Sequence, residues 1–364
     1  MITADERLGL VYVPTGSPSP DYYGGDRKAF DHGNSVVALE ARTESCAGRF
    51  KPFITIFGIT MLPRRPAVEG KGRDAVAVGS KTGHIFLLDR KTGKPIFGVE
   101  ERAVPGSDAD GEQAAPQPFP LKPRSLVPHT VTPGELMRKA LAGAKRRWRS
   151  SATKASLLRP VRRALVVPGN VGGLHWGGFA YDPTNRLLIA PANNIAAVVR
   201  LIPRDKFDGE KRSDRLGFEW APQQGTPYGM ARNFLLSPKR MPCNAPPWGT
   251  LSAIDTVTGE IKWQVPLGQA PGAPAELKSG FLNLGGPIVT ASGLAFIGAT
   301  MDGYFRAFEV SNGTEVWKTK LPASARATPM TYVHRGKQYV VISAGGHDER
   351  LGPLGDEVLA YALP

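Results

Sequence analysis

Six side chains stand out as able to act on a small molecule, and three of them stand beside a glycine. Lys81 lies in SKTGHIF, Trp176 in LHWGG, Asp302 in ATMDGYF and His347 in AGGHDER, while Asn193 and Asn194 end the run LLIAPANN. A lysine in a turn can stabilise developing negative charge or simply be solvated. An indole can contact a ligand or pack between sheets. A lone histidine after two glycines is more often a loop residue than part of a site. The two cysteines, Cys46 and Cys243, make neither a disulfide framework nor a zinc site by themselves and read as unrelated thiols.

The elements that must position these residues are read from one recurring pattern. In TLSAIDTVTGEIKWQVPLG an apolar run ends at Asp255, Thr258 and Gly259 turn the chain, and Trp263 falls eight residues after Asp255. The same ruler fits Glu309, Asn312, Gly313 and Trp317, and it fits Asp89, Thr92, Gly93 and Phe97. A further copy starts at Glu40 in SVVALEARTE. Strand, tight turn and strand repeated at intervals of roughly 50 residues predict an all-β, partial β-propeller of about four to five blades, with the aromatic packing between neighbours.

Composition agrees: 42 Gly and 33 Pro in 364 residues favour a turn-rich β fold. The formal charge of +14 would ordinarily raise a nucleic acid or a membrane surface as partner. Ten basic residues and no acidic one lie between Arg138 and Arg163, so a single segment carries most of the excess and no nucleic-acid partner is expected. No run of 18 apolar residues and no signal peptide stands in the sequence, which predicts a cytoplasmic protein if it is expressed alone.

Along the chain, strands are expected at Gly9 to Val13 and Ser35 to Leu39, and on both sides of Lys81 and Gly83. Residues 104–135 read as a Pro-rich loop, 136–158 as a basic helix and 204–249 as a long loop. Hairpin-like units follow at 250–268, 283–319 and 327–362.

The runs PGNVGGLHWGG, TPYGM, PCNAPPWGTLSAID, NLGGPIVTASGLAFIGATMDGYFRAF, ATPMTY and QYVVISAGGH resemble the membrane-bound glucose dehydrogenases that depend on pyrroloquinoline quinone (PQQ). Quinate/shikimate quinoprotein dehydrogenase is a close relative of these. The likeness covers roughly residues 1–40, 70–120 and 164–364, about the C-terminal half of an eight-bladed propeller. It implies oxidation of an aldose at C1 to the lactone, with PQQ and a Ca or Mg ion as cofactors and ubiquinone as acceptor at the periplasmic face of the inner membrane. A separate chain carrying the N-terminal half is a candidate partner. By resemblance, Lys81 hydrogen-bonds the quinone oxygens, and Trp176 contacts the cofactor. Asp302 and His347 lie near quinone and sugar, and Asn193 or Asn194 lies close to a cofactor-contacting asparagine.

Two departures stand against that pattern. The family's base aspartate, in a motif reading His-His-Asp-Leu-Trp-Asp, should precede Lys81, yet Phe50 to Pro63 holds no carboxylate. Such a loss would cost roughly 100-fold to 10,000-fold in rate. A shifted reading frame across residues 42–66 can spell that motif, with the base under Gly58 and Ile59 and a Trp under Ala47 and Gly48, where the ruler requires an aromatic. A second candidate out-of-frame island spans about 125–163, which makes the basic cluster a translation artefact. Ser17 stands where many quinoproteins have a metal-binding asparagine, and a hydroxyl is the weaker ligand. On this reading the chain is a truncated, weakly active or inactive copy. The alternatives are a non-catalytic propeller remnant and a quinate/shikimate-type dehydrogenase. An open half-ring with unpaired edges is expected to be poorly soluble.

Overall fold

The computed structural model describes residues 2–16, 22–23, 32–50, 68–70, 73–104, 116–130, 164–209, 219–237, 240–348 and 352–363. In chain order β1 (Thr3–Asp5), β2 (Leu10–Pro14), β3 (Val36–Glu40) and β4 (Cys46–Phe50) form an antiparallel meander. Next come β5 (Val68–Gly70), β6 (Arg73–Gly79) and β7 (Ile85–Asp89), then the ribbon of β8 (Val99–Arg102) and β9 (Gln117–Pro120).

The chain continues with β10 (Ala164–Val166), β11 (Ala180–Asp182), β12 (Leu187–Asn193), β13 (Ala197–Pro203), the short helix α1 (Arg204–Gly209), β14 (Glu219–Ala221), β15 (Tyr228–Phe234), β16 (Gly249–Asp255) and β17 (Ile261–Pro266). Strands β11, β12, β16 and β17 make one sheet, and β10, β13, β15 and β14 make another, of which β13, β14 and β15 are inserted between β12 and β16 and β10 precedes β11. Last are β18 (Ile288–Val289), β19 (Leu294–Ile297), β20 (Tyr304–Glu309) and β21 (Glu315–Lys320), then β22 (Met330–His334), β23 (Lys337–Ala344) and β24 (Glu357–Tyr361).

Five of these sheets stack face to face, as the blade reading predicts. Tyr12 and Val36 of the first sheet pack on Val78, Phe86 and Leu88 of the second. Ala77, Ile85 and Leu87 of the second pack on Leu188, Ala190 and Ile254. Leu251 and Ala253 continue onto Ala295, Ile297 and Phe308, and Phe305 onto Ile342 and Ala344. Buried Val, Ile, Leu and Ala on both faces of the middle strands explain why each sheet needs a neighbour on either side.

The hairpin ruler has a geometric cause. Ala253 pairs with Trp263 and Ala307 with Trp317, and in both hairpins the register shifts by a bulge at the next residue. The bulge turns the aromatic toward the following sheet. Trp263 lies against the turn glycine Gly313, where a Cβ would come within 2.6 Å of the indole, and its Nε1 donates to the Val310 carbonyl at 2.8 Å. Phe97 meets Gly259 in the same way, 3.1 Å from a Cβ placed there.

Two expectations need correcting. The stretch 204–249 is not one loop, because Tyr228–Phe234 pairs along its length with β13 and carries β14 as an edge strand. Its Gly229 packs under the Phe207 ring, so the glycine that reads as a loop signal is a close-packing site. Within 104–135, Gln117–Pro120 forms a strand on β8 despite its prolines, which an edge position tolerates. Ser17, Gly58, Ile59 and the basic segment 136–158 lie outside the described residues.

Candidate active site

Lys81 sits in the tight turn between β6 and β7. The turn is closed by Ser80 and His84 backbone groups and by a 2.7 Å contact between the Ser80 and Thr82 hydroxyls. It is locked to the loop before β11: Gly173 N donates to the Lys81 carbonyl at 2.6 Å, and Lys81 Nζ donates to the Asn170 carbonyl at 3.1 Å. A Cβ at Gly173 would lie 2.7 Å from the Gly83 backbone, so this approach requires glycine.

From there the hydrogen bonds run on to the end of β12 and to the connection before β18. Asn193 N donates to the Gly173 carbonyl at 2.8 Å. The Asn193 amide then makes a reciprocal pair with the Asn283 backbone: Nδ2 donates to its carbonyl at 2.8 Å and Oδ1 accepts from its N–H at 2.9 Å. Asn283 Oδ1 in turn faces His175 Nε2 at 3.3 Å.

His175 is fully enclosed. Its Nδ1 accepts from Gly177 N at 3.1 Å, which leaves Nε2 to donate to Asn283. Burial pushes the imidazole down to about 4; the Asn283 hydrogen bond opposes this, and the positive charges of Arg326 and Lys81 add to it. The ring is therefore neutral at pH 7, with both nitrogens engaged. It holds the loop and cannot also serve as a base.

Trp176, next to it, turns outward and is 42% exposed. The Arg326 guanidinium lies over its ring, 5.4 Å from the centroid. Gly177 is wedged against the backbone of Gly285 and Gly286, and a Cβ at Gly285 would lie 2.9 Å from the Arg326 carbonyl. The glycine pairs of LHWGG and NLGGP thus let three backbone segments converge beneath Trp176.

The structure therefore brings together Lys81, Trp176 and Asn193. Asn194 belongs to an adjoining cavity of about 260 Å³, where it bonds the Pro247 carbonyl through Nδ2 at 3.3 Å and leaves Oδ1 without a partner. Asp302 is committed to its own sheet: it pairs with Arg306 at 2.6 Å and accepts from Thr300 Oγ1 and from Gln269 N. Burial alone would raise its carboxyl, but the bonds and charge of Arg306 outweigh that and hold it below the usual carboxylate range. His347 is exposed in the loop after β23. No hydrogen bond or ion pair joins Asp302 or His347 to Lys81 or Trp176 among the described residues.

His175, Asn283 and Arg326 were not singled out in the sequence. The Gly-Gly pairs were the available signal, since a doubled glycine beside an aromatic marks close backbone approach. Among the described residues no three of His, Cys, Asp and Glu gather as a metal site.

A profile of the PQQ-linked glucose/ethanol/alcohol dehydrogenase β-propeller domain matches residues 1–53 and 59–340. The chain belongs to this family. It is 37% identical to a probable quinate dehydrogenase (quinone) of Xanthomonas campestris pv. juglandis, over 99% of this chain and 49% of that protein. It is 36% identical to the quinoprotein glucose dehydrogenase of Escherichia coli, over 99% of this chain and 48% of that protein. The chain thus spans about half the length of these relatives. Among solved structures, the quinohemoprotein alcohol dehydrogenase of Comamonas testosteroni superposes with a TM-score of 0.57 at 23% identity, covering 95% of this chain and 44% of the other. That likeness is one of fold and agrees with the stacked sheets. No described helix is long and apolar enough to cross a membrane.

Proposed function

We propose that this chain carries the cofactor face of a PQQ-dependent dehydrogenase that oxidises glucose at C1 to the lactone and passes the electrons to ubiquinone. The observation that carries the reading is the convergence of Lys81, neutral His175 and outward-facing Trp176 on the loop Gly169–Gly178, in a chain of this family. The residues fit the cofactor: a flat, polyanionic quinone suits an exposed indole face flanked by cations, and here Lys81 and Arg326 both bear on the same imidazole.

When bound, PQQ supplies the two-electron acceptor that side chains lack. Lys81 would hold its oxygens and stabilise negative charge there. His175 keeps the Trp176 loop in place through Gly177 and Asn283. A Ca or Mg ion, which the resemblance implies, finds no acidic cluster among the described residues and would have to draw on amide and backbone oxygens there.

A second reading rests on the stretch from Phe50 to Pro63, which carries no carboxylate. We propose that residues 42–66 are read out of frame, which would leave the polypeptide weakly active or a non-catalytic remnant. The position of Gly48 supports this: it pairs with Ala38 in the register that puts Ala253 opposite Trp263. The DNA spanning codons 42–66 tests the idea directly, because the shifted frame must spell the base motif.

For the principal reading, the purified chain is incubated with PQQ and Ca or Mg and assayed with a dye acceptor, with glucose and quinate as separate substrates. Turnover with glucose that is lost in Lys81→Ala is expected. Quinate turnover without glucose turnover would move the substrate to the hydroxy acid. PQQ binding without turnover on either would favour the remnant.

A further inference from the structure

We infer that the cavity beside Asn194 is a second binding site, for a small neutral polyol such as a pyranoside or a sugar alcohol. It is separate from the floor beneath Trp176, and the inference goes beyond the proposed oxidation without depending on it.

The cavity, of about 260 Å³, lies where the connection after β9, the end of β12 and the run Asn244–Thr250 meet. Lys81, His175 and Trp176 take no part in its lining. Its base is buried, with Asn194 8% and Thr250 6% exposed, while Pro128, Thr130 and Pro247 form an exposed rim. Backbone and amide bonds fix the frame. Asn194 N donates to the Trp248 carbonyl at 2.9 Å, and Asn244 Nδ2 donates to the Asn194 carbonyl at 2.8 Å. Gln264 Nε2 ties β17 to the far side by donating to the Leu126 carbonyl at 3.0 Å.

Two oxygens at the base, Asn194 Oδ1 and Thr250 Oγ1, are buried without a hydrogen-bond partner among the described residues. A buried acceptor and a buried hydroxyl left unpaired cost desolvation, which a hydrogen-bonding ligand offsets. The rest of the lining narrows what that ligand is. No charged side chain borders the cavity, so an ion finds no counter-charge there. Leu126, Val127, Pro246 and Pro247 offer apolar surface, whereas an ordered water needs about two to four polar partners. A purely apolar molecule would leave both oxygens unpaired. A polyol meets both demands: its hydroxyls donate to Asn194 Oδ1 and pair with the Thr250 hydroxyl, and its C–H faces lie on the prolines and aliphatic side chains. The size agrees, since a cavity of about 150 Å³ already admits benzene.

The test uses the full chain without cofactor. The probes are xylitol and methyl α-D-glucopyranoside, whose capped C1 hydroxyl cannot undergo the proposed oxidation. Binding is read by saturation-transfer NMR and calorimetry. Thr250→Val deletes the unpaired hydroxyl and Ala245→Leu fills the cavity; thermal unfolding confirms that each variant folds. The parent should bind at least one probe saturably, with an affinity indifferent to salt because the ligand is neutral. Thr250→Val should weaken it roughly threefold to tenfold, and Ala245→Leu should abolish it. If the parent binds a probe in this way but shows no PQQ-dependent turnover, the proposed function fails and the polyol site stands. No saturable binding of either probe to the parent means that the cavity holds water only, and equal affinities in parent and Ala245→Leu put the polyol elsewhere. Either result overturns the inference.

Discussion

Gly48 stands opposite Ala38 in the same bulged register that sets Trp263 opposite Ala253 and Trp317 opposite Ala307. It is the one place in three equivalent hairpins where the aromatic is missing. A Cβ at Gly48 would have nothing within 4 Å, and neither would one at the turn glycine Gly93 of the next sheet. Both line a cleft floored by Leu10, Tyr12, Val36 and Phe50. The Tyr12 hydroxyl donates to the Arg90 carbonyl at 2.7 Å, the counterpart of the acceptor that Trp263 finds at Val310.

Gly48→Trp should therefore stabilise the chain. The indole would cover apolar area on both sheets, and the gain expected is about 1–3 kcal/mol. Chemical denaturation followed by circular dichroism reads it, and an unchanged or lowered midpoint would show that the cleft does not accept the ring.

Acid should destabilise the fold through buried histidines. Burial pushes His84 down to about 3, with the charges of His129 and Arg102 adding to it, and His175 lies at about 4. Below the ordinary value of 6.5 the unfolded chain takes up protons that the folded chain refuses, so stability falls as pH drops from 6.5 toward those values. The slope is up to about 1.4 kcal/mol per pH unit for each ring. Unfolding midpoints from pH 8 to pH 4 should be flat above 7 and fall below 6, and His84→Gln should flatten the fall.

Asp302→Asn should behave as a stability variant. It leaves Arg306 buried and only partly matched by Glu315, a loss of roughly 3 kcal/mol. PQQ binding to the folded fraction should be unchanged; a selective loss of binding with unaltered unfolding would instead put Asp302 at the cofactor.

Gly177→Ala should loosen the site without touching a ligand. Its methyl would overlap the Gly285 backbone, which costs about 1–3 kcal/mol as overpacking and displaces Trp176. A shift in the tryptophan emission spectrum together with a lower unfolding midpoint is expected.

Much of the blade plan was legible in the sequence because a hairpin writes its apolar run, turn and aromatic within twenty residues. Trp263, Trp317 and Phe97 could be placed by counting. The strand Tyr228–Phe234 could not, since its partner β13 lies beyond a helix and a long connection, and its glycine reads locally as a turn. At the site, Lys81 and Trp176 were visible through the motifs around them. Asn283 and Arg326 were not, because what gives each its role is a contact with a residue at least 90 positions away. Asp302 illustrates the opposite case: a carboxylate that stands out in the sequence proves to be matched within four residues by Arg306.

The amide of Asn193 acts as two rungs of a ladder between the end of β12 and the connection that precedes β18. It reproduces with one side chain the donor and acceptor of a peptide group, at the point where neighbouring sheets splay apart. The inner ends of those sheets are thereby sewn together, while their outer edges meet through Trp263 and the Val310 carbonyl. A twist of one blade against the next would have to break this stitch at the inner end and the Trp263 bond at the outer edge, so the floor beneath Trp176 is braced from both sides.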